Sequence, residues 1–175
     1  MKKMTIFIVC AMVVLVSRAA FSSTDLDWIR SFTAPVASSP VCINLSGERL
    51  FDKDVIRSRI EEEFGKLGRE AIYKSSSIII NLRANYIQDD GVGVLVAFLT
   101  SPGLFSVIKD KLTEIDISNN RFTKAGLGSL KDLLGAYPSL KINAAINSFD
   151  YADFVEAFKD PTSVSARSRL RITPY

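Results

Sequence analysis

Histidine is absent from the 175 residues of this chain, and cysteine occurs only as Cys10 and Cys42. Without histidine there is no imidazole for general acid–base catalysis, no Ser-His-Asp or Cys-His nucleophile and no histidine metal ligand. Net charge is also small, at +3. Three of the 22 basic residues lie in the first twenty positions, which leaves 19 against 19 acidic ones. A neutral body lacks the basic face that nucleic-acid binding needs, so we expect no nucleic-acid partner.

The N-terminus has the three parts of a secretory signal peptide. Two lysines form a charged start, residues 4–16 are apolar apart from Thr5, and residues 17–20 supply small residues for cleavage. The apolar run is shorter than the roughly 20 residues that span a bilayer. We therefore predict that residues 1–20 are a signal peptide. The product would be exported, either secreted or periplasmic, with no stable membrane anchor.

Cleavage of this segment would remove Cys10 and leave Cys42 as the single thiol. No intramolecular disulfide could then form, although an exported protein is free to make one. A reactive thiol needs a neighbouring histidine or cation to lower its pKa, and Cys42 has neither beside it in the sequence. We interpret Cys42 as a small strand residue.

One eight-residue pattern occurs four times in the chain. Its copies are Ile43–Leu50, Ile80–Ile87, Ile115–Phe122 and Ile142–Phe149. The pattern is constant in length while the segments between copies vary. Self-similarity at a period of a few tens of residues is typical of a solenoid, in which each unit buries its apolar face against its neighbours.

Helical patterns follow each copy. The first has an apolar stripe at intervals of three and four residues, and the second runs from residue 91, breaks at 101–103 and resumes over 104–111. The third covers about residues 124–136 after Thr123 as its N-cap, and the fourth covers 151–159 after Asp150. The first stripe consists of Ile56, Ile60, Phe64, Leu67 and Ala71.

The second position of every copy is polar, between two apolar neighbours. These residues are Asn44, Asn81, Asp116 and Asn143. Alternation with a period of two predicts a strand with one buried face and one face in water. A doubly wound sheet buries both faces, and its strands are continuous apolar runs. The pattern therefore predicts helices on one side of a parallel sheet.

Residues 112–122 match the leucine-rich-repeat consensus at its fixed positions, and residues 40–159 resemble leucine-rich repeats of the ribonuclease-inhibitor type. Gly91 and Gly126 match the glycine at the helix start in that type, whereas Glu48 replaces the motif asparagine of the first unit. The resemblance implies an α/β fold, a short horseshoe of about four strand–helix repeats with a parallel sheet on its concave face. It also implies that Asn85, Asn120 and Asn147 satisfy backbone groups after each strand.

We expect four segments along the chain. Residues 1–20 are the signal peptide, residues 21–39 an N-terminal cap helix and loop, residues 40–159 the leucine-rich repeats, and residues 160–175 a flexible C-terminal tail. Solenoid ends need such caps to cover their exposed core layers. The repeats occupy nearly all of the mature chain, which leaves no room for a catalytic domain.

The outward strand positions form the predicted concave face, and we expect this face to bind a partner. The candidate binding residues are Asn44, Ile79, Asn81, Arg83, Glu114, Asp116, Ser118, Lys141 and Asn143. The function predicted is that of a non-enzymatic protein–protein interaction module. Resemblance to exported leucine-rich-repeat proteins makes a host-derived protein one candidate partner. We expect a monomer with no cofactor and no metal.

Two alternatives stay open. The first is a hydrolase-type enzyme that uses carboxylates without histidine, with Asp89-Asp90 as the carboxylates or Ser75 to Ser77 near Lys74 as a nucleophile and base. Adjacent residues do not converge on one substrate atom, so turn chemistry is the better interpretation of both. The second is membrane or nucleic-acid contact through the tail arginines Arg167, Arg169 and Arg171.

The tripartite N-terminus predicts that the protein isolated from its native host begins near Ala20 or Phe21. Intact-mass spectrometry of the purified protein measures this directly. An unprocessed N-terminus on protein from the soluble cytoplasmic fraction would contradict the prediction.

Overall fold

The structure, a computed structural model, describes residues 39–172. The predicted signal peptide, the predicted cap helix and residues 173–175 lie outside the described residues. Within residues 39–172 the chain forms five β-strands and six α-helices. The architecture is α/β with a parallel sheet, as the sequence predicts.

The strands form one sheet whose order follows the chain. They are Val41–Asn44 (β1), Ile78–Asn81 (β2), Leu112–Asp116 (β3), Lys141–Asn143 (β4) and Leu170–Arg171 (β5). Every neighbouring pair is parallel. The strand order never reverses, so this sheet lacks the switch point that defines a doubly wound fold.

The helices lie in the segments between the strands. They are Lys53–Lys74 (α1), Asp89–Leu99 (α2), Pro102–Ile108 (α3), Lys124–Ala136 (α4), Tyr151–Ala157 (α5) and Val164–Arg169 (α6), with a 3₁₀ turn at Pro161–Ser163. Thr123 Oγ1 accepts the Ala125 N–H at the start of α4, and Asp150 forms a capping box with Asp153 at the start of α5. Both predicted helix starts are confirmed, because these side chains satisfy N–H groups that have no partner within the helix.

The core lies between the helices and one face of the sheet. The first and third residues of the repeated pattern are buried in every copy: Ile43, Leu45, Ile80, Leu82, Ile115, Ile117, Ile142 and Ala144. The helices add residues such as Ile56, Leu95 and Leu127 to the same cluster. Because side chains alternate across a strand, the intervening polar residues point to the other face.

Helix α1 departs from the predicted stripe after its fourth turn. Gly68 has φ +67° and ψ 158°, which interrupts the helical backbone. Ile56, Ile60 and Phe64 are buried before this break, but after it Ile72 is buried in place of the predicted Ala71. Glycine adopts this left-handed φ without a steric penalty, so the break shifts the buried face by one residue.

Residues 161–172 differ from the predicted flexible tail. They form the 3₁₀ turn, α6 and β5, and Ala166 and Leu170 are buried. Leu170 is the register partner of Ile142, so β5 extends the sheet beyond the four predicted strands. The segment has no periodic apolar pattern in the sequence. Its folded structure depends on contacts with residues about thirty positions earlier in the chain, which local patterns do not predict.

Two glycines allow the helices of successive units to approach closely. A Cβ at Gly126 would lie 2.8 Å from Phe122 Cδ2 and 2.9 Å from Asp89 Oδ1. A Cβ at Gly91 would lie 2.7 Å from Ile56 Cδ1. All three distances are shorter than real Cβ contacts, so a side chain at either position would displace its neighbours. Packing between units therefore favours glycine at these helix starts.

Gly126→Ala and Gly128→Ala, two changes in the same helix, should have opposite effects on stability. Gly126→Ala should lower the free energy of unfolding by about 1–3 kcal/mol, because the new methyl group overpacks against Phe122 and Asp89. Gly128→Ala meets nothing within 4 Å and should raise stability by about 0.5–1 kcal/mol through reduced backbone entropy. Urea denaturation of both variants measures the difference, and equal effects would contradict the packing argument.

Candidate functional site

The polar side of the sheet and the turn residues Arg83 and Ser118 that follow β2 and β3 are here called the open face. The other predicted binding residues lie on the strands in two rows. In the register of β1 to β4, Cys42, Ile79, Glu114 and Lys141 are aligned. Asn44, Asn81, Asp116 and Asn143 form the second row, which β5 extends with Arg171. Both rows were predicted from the sequence up to β4, and Arg171 was missed because β5 was not expected.

The candidate binding residues differ in their access to solvent. Asn44, Arg83, Glu114 and Lys141 are exposed, whereas Ile79, Asn81, Asp116 and Asn143 are half-buried. Ser118, however, has only 4% of its surface exposed. The structure therefore removes Ser118 from the surface available to a partner.

Each side chain of the second row also supports the turn that follows its strand. Oδ1 of the residue accepts the backbone N–H two positions later, at 3.3 Å for Asn44, 3.1 Å for Asn81, 2.9 Å for Asp116 and 3.4 Å for Asn143. This is the Asx-turn geometry favoured by asparagine and aspartate. Sequence reasoning missed it, although an Asn or Asp at one fixed position in all four copies was a usable signal.

The Asx turns determine which polar groups the asparagines present. An N–H group is a donor, so the atom that faces it must be the carbonyl oxygen Oδ1. The Nδ2 groups of Asn44, Asn81 and Asn143 are then left as donors, and no partner for them is found within residues 39–172. The row therefore offers amide N–H donors to a ligand, interrupted by one carboxylate at Asp116.

Asp116 is the most constrained member of the row. Its Oδ1 accepts both the N–H and the hydroxyl of Ser118, at 2.9 Å and 2.6 Å. Because Ser118 is buried, these bonds satisfy groups that water reaches poorly. Asp116 is therefore partly a structural residue, and a test of binding should not depend on changing it.

The fifth residue of the repeated pattern, just after the Asx turn, has a left-handed backbone in every copy. Gly47, Ala84, Asn119 and Ile146 have φ values of 74°, 57°, 55° and 58°. A positive φ is unusual for alanine and a genuine outlier for a β-branched residue such as isoleucine. Ile146 is also 41% exposed, so burial of its side chain does not account for the strained residue.

The asparagines Asn85, Asn120 and Asn147 donate to backbone carbonyls of two neighbouring units, as the resemblance to leucine-rich repeats implies. All three are buried. Nδ2 of Asn85 donates to the Leu45 and Leu82 carbonyls, and its Oδ1 accepts the Leu50 N–H. Asn120 repeats this arrangement one unit later with the Leu82 and Ile117 carbonyls and the Ile87 N–H. These residues join neighbouring units and are not available to a ligand.

Ion pairs are concentrated away from the open face. Those in the described part of the chain lie on α1, between Arg59 and Glu48, and around Lys131, Glu156 and Lys159. None includes a strand side chain. Four cations of α1 are therefore paired locally, namely Arg57, Arg59, Lys66 and Lys74. On the open face Arg83, Glu114 and Lys141 form no ion pair within residues 39–172.

The tail arginines have three different environments. Arg169 donates four hydrogen bonds to backbone carbonyls, three of them at the carboxyl end of α4 and the residues after it. Burial lowers the pKa of its guanidinium. Arg167 lies over the Phe154 ring at 5.5 Å. Arg171 is exposed beside Asn143. The three side chains therefore do not form one basic cluster.

A cleft of about 300 Å³ opens where β3, β4 and β5 meet. Its lining includes Glu114, Lys141, Asn143, Arg169 and Arg171. It exists because β5 pairs with β4 and places Arg171 next to Asn143. The predicted binding surface is therefore longer than expected and ends in a charged cleft.

The candidate catalytic groups are engaged in structural contacts. Asp89 accepts the Thr123 N–H, the Thr123 hydroxyl and the Gly126 N–H, all at the start of α4. Ser75 donates to the Ile72 carbonyl at the end of α1, and Lys74 pairs with Glu70. Asp89 and Ser75 thus bind groups at helix ends, and Lys74 is paired within its own helix, so the three groups already have structural partners.

Two further features bear on metal and membrane binding. Residues 39–172 contain no group of three or more Cys, Asp or Glu side chains that could hold a metal ion. In the same part of the chain no single helix is long and apolar enough to cross a membrane, and only α2 and α3 together, bent by 72°, reach that length and composition.

Comparison of the chain with protein-family models and with curated proteins found no match. The function must therefore be inferred from the open face, its hydrogen-bonding groups and its charges.

Asp116→Ala should lower the free energy of unfolding by about 1–3 kcal/mol, because it leaves the buried donors of Ser118 without an acceptor. Asp116→Asn keeps Oδ1 and should retain most of the stability. Glu114→Ala, on the same strand and exposed, should change stability by less than about 0.5 kcal/mol. Urea denaturation compares the three variants. Equal stability of Asp116→Ala and Glu114→Ala would show that the Asx turn contributes little.

Proposed function

We propose that the protein is a non-enzymatic interaction module that binds a protein partner through its open face. The observation that carries the proposal is the open face itself, where aligned donors and charges lie without partners in the described part of the chain. Solenoid proteins use extended surfaces of this kind for binding.

We further propose that the chain is a short leucine-rich-repeat horseshoe of the ribonuclease-inhibitor type, with the open face on its concave side. Three features support this. The strand order follows the chain, buried asparagines join successive units, and glycines at two helix starts permit close packing. In such a solenoid each unit buries its apolar face against its neighbours.

The chemistry of the open face favours a protein over a small metabolite. Its polar groups are spread over four strands instead of converging in a deep pocket, as small-molecule sites usually do. Ile79 is a half-buried apolar residue in the first row, with polar residues of both rows around it. A contact centre with a polar rim is typical of protein–protein interfaces.

An enzyme is a weaker proposal for this chain. The sequence has no histidine, and the carboxylate of Asp89 and the hydroxyl of Ser75 are engaged in helix caps. We propose that the protein is exported and monomeric and acts outside the producing cell or in its envelope. A host-derived protein is one candidate partner.

A paired substitution, at Ile79 of β2 and at Arg83 just after it, tests the open face and changes neither Asp116 nor a cation of the cleft; it is called the β2 variant below. In Ile79→Lys/Arg83→Glu both changes lie on the open face, and the Arg83 side chain makes no hydrogen bond or ion pair within residues 39–172. A matched control, Ser58→Lys/Arg69→Glu, makes similar changes at exposed positions of α1. Charge reversal at an interface adds like-charge repulsion of up to several kcal/mol.

We expect the wild-type protein and the α1 control, once immobilised, to capture the same partner from extracts of the native host and its surroundings. The β2 variant should retain less than about one tenth of that partner, which corresponds to a loss of about 1.4 kcal/mol. Equal capture by all three proteins would place binding elsewhere. Turnover of a substrate with no captured partner would favour the enzyme.

A further inference from the structure

The cleft between β3, β4 and β5 holds more cationic than anionic groups. Lys141 and Arg171 are exposed, Arg169 is half-buried, and Glu114 is the single carboxylate in the lining. Within residues 39–172 neither Lys141 nor Arg171 forms an ion pair. The protein as a whole is close to neutral, so this local excess is a property of the cleft.

The donors of the cleft come from neighbouring positions on two paired strands. Asn143 and Arg171 are register partners, and Lys141 lies two residues before Asn143 on the same face of β4. The Asn143 Oδ1 accepts the Ala145 N–H, which leaves Nδ2 as the group directed to a ligand. An ammonium, an amide and a guanidinium therefore lie side by side.

Arg169 contributes mainly charge to the cleft, because four of its five N–H donors are already bound to backbone carbonyls. Four hydrogen bonds to the carbonyls of Leu134, Tyr137, Leu140 and Ser165 hold its guanidinium in place. A fixed positive charge in a half-buried position is screened less than one in open solvent. Arg169 therefore favours an anion in the cleft, while Lys141 and Arg171 are the groups able to contact it.

We propose that the cleft binds an acidic side chain of the protein partner, a glutamate or aspartate in a segment that lies along the open face. This inference rests on the proposed function of that face. A volume of about 300 Å³ accommodates a side chain and not a folded element. Lysine and arginine bind carboxylates through charge-assisted hydrogen bonds, which are about twice as strong as neutral ones.

Glu114 sets the specificity of the cleft. It is the register partner of Lys141 and brings the only negative charge of the lining. A carboxylate from the partner has to approach Lys141 and Arg171 on the side away from Glu114, because like charges repel. Removal of the Glu114 charge should therefore strengthen the binding of acidic ligands, an effect that misfolding cannot produce.

Two labelled peptides test the proposal on the full chain. One, of about eight residues, alternates glutamate with serine, and the other carries glutamine in place of every glutamate. Fluorescence anisotropy should show about tenfold tighter binding of the glutamate peptide to the wild-type protein. Lys141→Gln/Arg171→Gln should lose about tenfold of that affinity, and Glu114→Gln should gain about threefold. The control Arg69→Gln/Lys109→Gln removes two exposed cations away from the cleft. Its affinity for the glutamate peptide should stay within about twofold of the wild-type value.

Amide chemical-shift mapping on the wild-type protein locates the peptide independently of any variant, and the shifts should cluster at residues 141–143 and 168–171. Equal affinity for both peptides, or shifts centred elsewhere, would overturn the proposal.

The capture assay separates this inference from the function on which it rests. If Ile79→Lys/Arg83→Glu loses the partner while Lys141→Gln/Arg171→Gln keeps it, the open face binds and the cleft inference is wrong. If acidic peptide binds in the cleft while both variants keep the partner, the proposed function of the face is wrong.

Discussion

A buried side-chain amide between successive strand ends is the contact on which the rest of the structure depends. Asn85 and Asn120 each bridge two units, by donating to carbonyls of both and accepting an N–H from the earlier one. Without them these backbone groups would be buried and unpaired, at about 1–3 kcal/mol each. The amides hold the carboxyl ends of the strands in register while the return segments differ in length and in helix content.

The turns that these amides hold also determine the open face. Each of β1 to β4 ends in an Asx turn followed by a left-handed residue, even where that residue is Ile146. A strained residue of this kind costs of order 1–3 kcal/mol and persists only where the surrounding structure requires it. The side chains of the second row therefore both stabilise the turns and offer polar groups to a partner. One oxygen of each side chain closes a turn, and the remaining polar group is directed to solvent, where a partner can reach it.

Charge is distributed so that the two sides of the protein differ although the whole is nearly neutral. Arg57, Arg59, Lys66 and Lys74 of α1 are paired with glutamates one helical turn away, which contributes little to stability. On the sheet side, Arg83, Lys141 and Arg171 lie without ion pairs in the described residues, close to amide donors. Net charge did not reveal this asymmetry, because it depends on which residues the fold brings together. The arginines that looked like a tail cluster are separated by the same effect, since Arg169 caps backbone carbonyls and Arg171 joins the open face.

Local sequence patterns were sufficient to predict four of the five strands and two helix starts. The period-two alternation at Asn44 and its equivalents placed β1 to β4 in register, and Thr123 and Asp150 marked helix starts, because these signals act within a few residues. Long-range contacts decided the rest. Leu170 pairs with Ile142, and Arg169 meets the end of α4 only after the chain has folded back, so β5 and the cleft left no local signal. The shift from Ala71 to Ile72 is a local effect of the backbone break at Gly68. Ser118 is buried although its neighbours Asp116 and Asn119 are not, which the alternation along the strand does not predict. The sequence by itself determined which side chains alternate along the strands. Only the tertiary structure decided which of them are left for a partner, because hydrogen bonding and burial depend on neighbours that are distant in the chain.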